Sequence, residues 1–258
     1  MLSVGDVPGA AKVTLSPGSL CYSPGRGAVI AYTTIDSEQG GVVSRESSGR
    51  VRAGQDHVAE RACLLAGSIG APAGLGRFFR AFDRMLPIAF IVVVPISPNA
   101  VPLLCDYLSR FTKMRVLPAL TGHILHHGEV IVVPSDRLLI VDENNHITLV
   151  TPDADLTNPI DLTMKAFSRH FRANLGAIIF SGIGEDGLQG CQSIVDNGGE
   201  VWTQAAESCH FASMPRYVSE ACEVRYSGTP EQLASRLQGE FAAWSQHYRD
   251  VSSTSGAK

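Results

Sequence analysis

From Arg61 onward, short runs of β-branched and apolar residues alternate with stretches whose apolar positions repeat at helical spacing. Strands and covering helices in turn produce that texture, and it predicts an α/β, doubly wound sheet. Ala62–Leu65 reads as a strand that breaks at Gly67-Ser68-Ile69-Gly70. A helix from Pro72 follows, with Leu75, Phe78, Phe79, Phe82 and Met85 on one face. Ala89–Val94 is apolar at every position, as a parallel strand buried on both faces requires, and Pro95 and Pro98 stop it. Val101–Phe111 reads as a helix. Glu129–Val133, Arg137–Val141 and His146–Val150 are short strands joined by polar turns, which predicts a small antiparallel β-meander. Then come a helix over Leu162–Phe171, a buried strand over Ala177–Phe180 and a helix over Leu188–Asn197 closed by Gly198-Gly199. A strand over Val201–Thr203 and helices over Pro215–Ala221 and Pro230–Trp244 complete the body. The expected architecture is a mostly parallel sheet with helices on both faces, plus the small meander.

Residues 1–58 lack this alternation. They scatter Gly, Ser and Pro around one convincing apolar run, Ala28–Tyr32, and predict an irregular N-terminal arm without a complete receiver domain. Residues 59–248 form the expected body, and the Ser/Gly-rich residues 249–258 a flexible tail.

Composition then removes whole classes of function. With 45% hydrophobic and 18% charged residues in 258, the chain can bury a sizeable core and is not a disordered segment. A formal net charge of −4 supplies no global positive field, so nucleic acid is not an expected partner. The longest strongly apolar stretch, Leu86–Ile96, contains two prolines and falls short of the roughly 20 residues a spanning helix needs. No membrane insertion is expected. Met1–Ala11 has no basic segment followed by an apolar one, which points to a cytoplasmic location. Cys21, Cys63, Cys105, Cys191, Cys209 and Cys222 form no C-x-x-C pair and read as small buried hydrophobes. His123, His126 and His127 read as exposed loop side chains with only Glu129 at ligand spacing, so neither a metal nor another cofactor is expected.

Ligands of an open parallel sheet gather beyond the carboxyl ends of its strands, and two loops there carry chemistry. Ala66-Gly67-Ser68-Ile69-Gly70 is close to the G-x-S-x-G elbow, with Ala66 at the place of the first glycine. Such a serine presents its hydroxyl near the N–H groups that open the next helix, which suits attack on a carbonyl; it equally suits capping that helix. Gly182–Gly187 formally matches G-x-G-x-x-G. Glu185 and Asp186 would oppose a pyrophosphate there, and the next strand ends in Thr203-Gln204 without the acid that holds a ribose, so nucleotide binding is set aside. Asp186 in such a turn can orient a catalytic base or cap a helix.

Taken together with Glu207-Ser208-Cys209 and Ser213-Met214-Pro215, these loops resemble the CheB family of protein-glutamate methylesterases. Ala66-Gly67-Ser68-Ile69-Gly70-Ala71 is similar to the family's G-A-S-T-G-G, and Ser181 to Gly187 to its T-G-M-G-x-D-G. The motifs match in order and spacing over roughly Arg61–Leu237. Val201-Trp202-Thr203-Gln204 with Phe180-Ser181-Gly182 looks most like the branch attached to type IV pilus chemosensory systems. The resemblance implies hydrolysis of glutamate methyl esters on a methyl-accepting chemotaxis receptor, the expected partner, by a Ser-His-Asp triad. Carried over by position, Ser68 is the nucleophile, Asp186 the acid that orients the imidazole, and the N–H groups of Ile69 and Ile183 the oxyanion hole.

One position departs from the pattern. The family's Q-H-M-P falls on Val94-Pro95-Ile96-Ser97, so Pro95 stands where the catalytic histidine is expected. A serine without a base is a poor nucleophile, and loss of a triad histidine costs on the order of a millionfold in turnover. His210, between the last two motifs, is the candidate substitute base. Two functions follow: a protein-glutamate methylesterase, or a catalytically impaired relative that binds receptor or signalling partner without turnover.

Overall fold

The computed structural model describes residues 57–151 and 158–241, together with the backbone of three earlier strands. The chain divides into two units, Met1–Gln55 and Asp56–Lys258. In the first, β1 (Leu20–Ser23), β2 (Val29–Ile35) and β3 (Val42–Ser48) pair as an antiparallel sheet in the order β1-β2-β3. An irregular arm was the expectation here; the β-branched residues of Val29–Ile35 instead favour an extended, paired backbone. The expected tail, 249–258, lies outside the described residues.

The second unit is built on seven parallel strands: β4 (Ala62–Ala66), β5 (Ala89–Val93), β6 (Arg115–Pro118), β7 (Glu129–Val133), then β10 (Leu175–Ile179), β11 (Glu200–Gln204) and β12 (Tyr226–Gly228). Their spatial order is β12-β11-β10-β4-β5-β7-β6. β8 (Leu138–Val141) and β9 (Ile147–Val150) form a separate antiparallel pair. The expected meander is thereby corrected: Glu129–Val133 is buried at all five positions and pairs in parallel with both β5 and β6. A strand buried on both faces belongs inside a covered sheet, not in a hairpin exposed on one side.

Alternation along the strands sends neighbours to opposite cores. Leu64, Ile91 and Ile131 join Met164 and Phe167 of α3 (Pro159–Phe171) and Ile194 of α4 (Leu188–Asp196). Leu65, Phe90 and Val92 face the other way, onto Leu75, Phe78 and Phe79 of α1 (Ala71–Arg80) and Leu104 and Leu108 of α2 (Val101–Ser109). Leu233 and Leu237, on a helix described over 230–241, complete that face. Phe78 meets Phe90 and Phe180 edge-on at 6.0 and 5.6 Å. Such contacts add about 0.5–1.5 kcal/mol each to the area they bury, so this cluster fixes α1, and the turn before it, against the sheet. No helix among the described residues is long and apolar enough to cross a membrane.

The histidines before β7 depart from expectation. His123 is buried and His126 and His127 are half-buried, because Glu129 opens β7 inside the fold and draws them in. His123 Nε2 lies 2.8 Å from Glu129 Oε2, the His126 N–H donates to the same oxygen at 3.2 Å, and Arg115 Nη1 pairs with Oε1 at 3.0 Å. Burial alone would raise the Glu129 pKa, but these partners hold the carboxyl down to about 2.

Candidate active site

From β4 the chain moves outward to β5 and β7 on one side, then returns to lay β10 against β4 on the other. β4 and β10 therefore flank the topological switch point, the place where an open sheet offers a crevice at its carboxyl end. Ala66 pairs with Val93 on one side and Ile179 on the other. Ser68, Pro95 and Ser181 each lie two residues past those partners, so the register brings three loops side by side.

Close approach of the loops depends on two glycines. The Ser68 N–H donates to the Ser181 carbonyl at 3.0 Å. A Cβ on Gly182 would stand 2.9 Å from that same Ser68 nitrogen and 3.1 Å from the Ser68 Cβ. Gly70 has φ of 86°, a left-handed backbone that glycine takes without cost, and a Cβ there would meet Ser181 Oγ at 2.6 Å and His210 Cβ at 3.0 Å. The turn after β4 is thus pressed against both the β10 loop and the His210 segment.

Ser181 holds this junction together. Its hydroxyl, 1% exposed as a residue, accepts the Phe211 N–H at 3.0 Å and lies 3.1 Å from the Ile69 carbonyl and 3.2 Å from that of Phe211, either of which can take its proton. Its own N–H donates to Gln204 Oε1 at 3.0 Å, and Gln204 Nε2 donates to the Ser208 carbonyl at 2.8 Å. Gly182 donates to the Phe211 carbonyl and receives the Met214 N–H. Every buried polar group in this network is matched, which makes the crevice floor rigid. Sequence reasoning missed Ser181 and Gln204. The sequence offers Gln204 as a residue that is no ribose-binding acid and as part of the Val201-Trp202-Thr203-Gln204 resemblance, not as a support of this junction; as the last residue of a buried strand, an amide there must find partners in the adjoining loops.

Ser68 itself is uncommitted. Gly70, not Ser68, is the N-cap of α1 and no side chain caps that helix, so capping does not account for the serine. Its hydroxyl has no hydrogen-bond partner among the described residues, and neither has the N–H of Ile69 or of Ile183. One hydroxyl and two amide donors not used by the fold's own hydrogen bonds among the described residues, at a crevice mouth, are groups an acyl-transfer site can offer to a substrate. Ile69 and Ile183 are 58% and 53% exposed and Phe211 43%, so the rim is apolar. Pro95 is exposed at the same rim. His210 is exposed as well, beside Gly70. Cys209 is no rival nucleophile, since burial pushes its thiol up to about 11 and keeps it protonated.

Asp186 is engaged by a helix other than the one it precedes. Its Oδ2 accepts the Ile160 N–H at 3.1 Å and its Oδ1 the Asp161 N–H at 2.9 Å, in the first turn of α3. Asp161 returns the arrangement: its Oδ1 accepts the N–H groups of Gly187 and Gly190, at 3.0 and 2.7 Å, where α4 begins. The two helices cap each other through a pair of exchanged aspartates. Burial raises the Asp186 pKa despite the backbone N–H groups that oppose the shift. Each carboxylate oxygen retains a lone pair beyond the one used, so capping leaves capacity for another donor. Asp161 escaped the sequence reading because the helix was begun at Leu162; Asn158-Pro159, with proline in the first turn, is the signal that places Asp161 inside it.

The comparisons agree with this geometry. The model of the CheB methylesterase family matches residues 63–237. A protein-glutamate methylesterase/protein-glutamine glutaminase of Shewanella denitrificans is 23% identical over 242 residues, covering 91% of this chain and 62% of that protein. Its counterpart in Treponema pallidum is 27% identical over 171 residues, covering 64% and 42%. The chain therefore spans about half the length of such relatives. The crystal structure of the Thermotoga maritima CheB methylesterase catalytic domain superposes with a TM-score of 0.64 at 22% identity, covering 69% of this chain and 96% of that one. Fold, loop placement and the family match converge: the chain belongs to the CheB methylesterase family.

Proposed function

We propose that this chain hydrolyses glutamate methyl esters on a methyl-accepting chemotaxis receptor in the cytoplasm, with Ser68 as nucleophile. The observation that supports the reading is the Ser68 hydroxyl at the β4–β10 switch point, which, like the N–H groups of Ile69 and Ile183 in the two adjoining loops, has no hydrogen-bond partner among the described residues. Ser68 Oγ attacks the ester carbonyl carbon while a base takes its proton. The negative oxygen of the tetrahedral intermediate is received by those two N–H groups. Collapse breaks the C–O bond, the proton passes to the departing methoxide, and methanol leaves. Water then hydrolyses the acyl-serine and restores the hydroxyl.

The family's histidine position is taken by Pro95, so the base comes from elsewhere in this reading. His210 is the choice, since its Cβ lies beside the turn that carries Ser68 and an exposed imidazole there can rotate toward the hydroxyl. Asp186 supports the imidazolium that forms. Val201-Trp202-Thr203-Gln204 with Phe180-Ser181-Gly182, which look most like the branch attached to type IV pilus chemosensory systems, support a receptor of that kind as the substrate in this reading.

The test is methanol release from methylated receptor by the purified chain, compared with Ser68→Ala and His210→Ala. The proposal predicts release by the parent chain, none above buffer with Ser68→Ala, and a loss of about a hundredfold or more with His210→Ala. Release unchanged by Ser68→Ala overturns the nucleophile, and release unchanged by His210→Ala overturns the base. If the parent chain and Ser68→Ala are both indistinguishable from buffer, the chain binds without turnover.

A further inference from the structure

At the amino ends of the strands, the far end of the sheet from Ser68, a second group of side chains converges. His123 and His126 lie in the segment before β7 and Glu129 is the first residue of β7, a spacing of three residues between successive side chains. One carboxylate oxygen faces both histidines: Glu129 Oε2 lies 2.8 Å from His123 Nε2 and 3.5 Å from His126 Nδ1. The other oxygen, Oε1, is held by Arg115, the register partner of Glu129 on β6. One nitrogen or oxygen from each of His123, His126 and Glu129 falls within 4.8 Å of the other two.

These separations suit a small divalent cation. Bonds of 2.0–2.2 Å in a tetrahedral arrangement place neighbouring ligand atoms about 3.3 Å apart, between the two distances seen at Oε2. Two imidazoles and one carboxylate form a nitrogen and oxygen set that favours zinc over calcium or magnesium, with the fourth position left to water. Arg115 on Oε1 and the His126 N–H on Oε2, at 3.2 Å, orient the carboxylate so that Oε2 still faces both imidazoles, the part outer hydrogen bonds play around a metal.

The backbone also holds the donors in place before any ion arrives. The carbonyl of His123 accepts the Ile147 N–H at 2.9 Å, and Leu125 donates to Asn145 and accepts from Ala59. His127 donates to His57, and Gly128 donates to Ile88. Gly122 and Gly128, with φ of 86° and 70°, bend the chain at either side of the two histidines. Donors fixed by their surroundings lose little freedom on binding.

We propose that His123, His126 and Glu129 bind one zinc ion, with water as fourth ligand, at a stabilising site separate from the Ser68 crevice. Coordination through Nε2 takes the place of the His123–Glu129 hydrogen bond and leaves the His123 ring hydrogen on Nδ1. The ion ties the segment before β7 to β7, and through Arg115 to β6.

The full chain is stripped with a chelator, titrated with zinc chloride against a chromophoric competitor, and melted with and without zinc. One zinc per chain and a raised Tm are expected, both lost in His123→Ala and in His126→Ala. Cobalt(II) loading gives a second readout: intense visible bands of a tetrahedral site in the parent chain, absent from the variants. Should His123→Ala fail to fold by circular dichroism, the half-buried His126→Ala decides alone. No stoichiometric zinc on the parent chain overturns the site, as does binding of undiminished affinity in His126→Ala. None of these readouts depends on esterase activity.

Discussion

At the two ends of the same sheet, polar groups are treated in opposite ways. Around the carboxyl ends of β4 and β10, Ser68 Oγ and the N–H groups of Ile69 and Ile183 have no hydrogen-bond partner among the described residues, at an exposed apolar rim. At the amino ends of β6 and β7, Arg115, His123 and His126 converge on the buried carboxylate of Glu129. Donors at an exposed rim are open to solvent or to a ligand, whereas a carboxylate is rarely buried without partners around it. The first end is therefore open to a group that arrives and leaves, and the second is made of side chains that hold one another. The rigid floor under the first, Ser181 with Gln204 and the exchanged aspartates, is what allows idle groups to keep their positions.

The strongest way to break this contrast is to disturb the floor. Gly182→Ala puts a methyl against the Ser68 nitrogen and Met214 Sδ, at 2.9 and 2.7 Å before relaxation. A shift of about 1 Å at a reacting group costs roughly a hundredfold, so methanol release should fall at least that far, with a stability loss of about 1–3 kcal/mol in urea unfolding. Asp161→Ala removes the acceptor of two buried N–H groups at the start of α4. We expect about 2–4 kcal/mol of destabilisation, with Asp161→Asn milder because its carbonyl can still accept. Ser181→Ala strips the hydroxyl that joins Ile69 to Phe211, and should cost about 1–2 kcal/mol while lowering release about tenfold. Least affected is Glu231→Ala, which breaks a two-point pair with Arg77 whose side chains are 48% and 45% exposed. Below about 1 kcal/mol is expected there. Arg77 holds the Glu231 carboxyl below its ordinary value of 4.5, so the pair's small contribution is complete above that pH and fades as the pH falls further.

Much of the sheet could be read in advance because its central strands are apolar throughout. Ala62–Ala66 and Ala89–Val93 announce themselves in this way, and the turn after the first carries Gly67, Ser68 and Gly70 of the crevice. β6 and β12 could not be found by the same rule. Arg115–Pro118 is half-exposed at the sheet's edge and ends in proline, and Tyr226–Gly228 has three residues, too few for a pattern. Glu129 disguises β7: a charged first residue, followed by two short strands, reads as a meander, whereas the strand is buried throughout and pairs in parallel with β5 and β6. The serine and its loop were legible; the pairing of Asp186 with Asp161 was not, since it joins two helix ends 25 residues apart that no local periodicity connects.

The central claim, that Ser68 is the reactive group of an oxyanion-stabilising crevice, is tested most directly by treating the chain with a small alkyl fluorophosphonate and determining the structure of the product. The account predicts a single adduct on Ser68 Oγ, with the phosphoryl oxygen hydrogen-bonded to the N–H groups of Ile69 and Ile183. No adduct, an adduct on another residue, or a phosphoryl oxygen turned away from those two donors would contradict it.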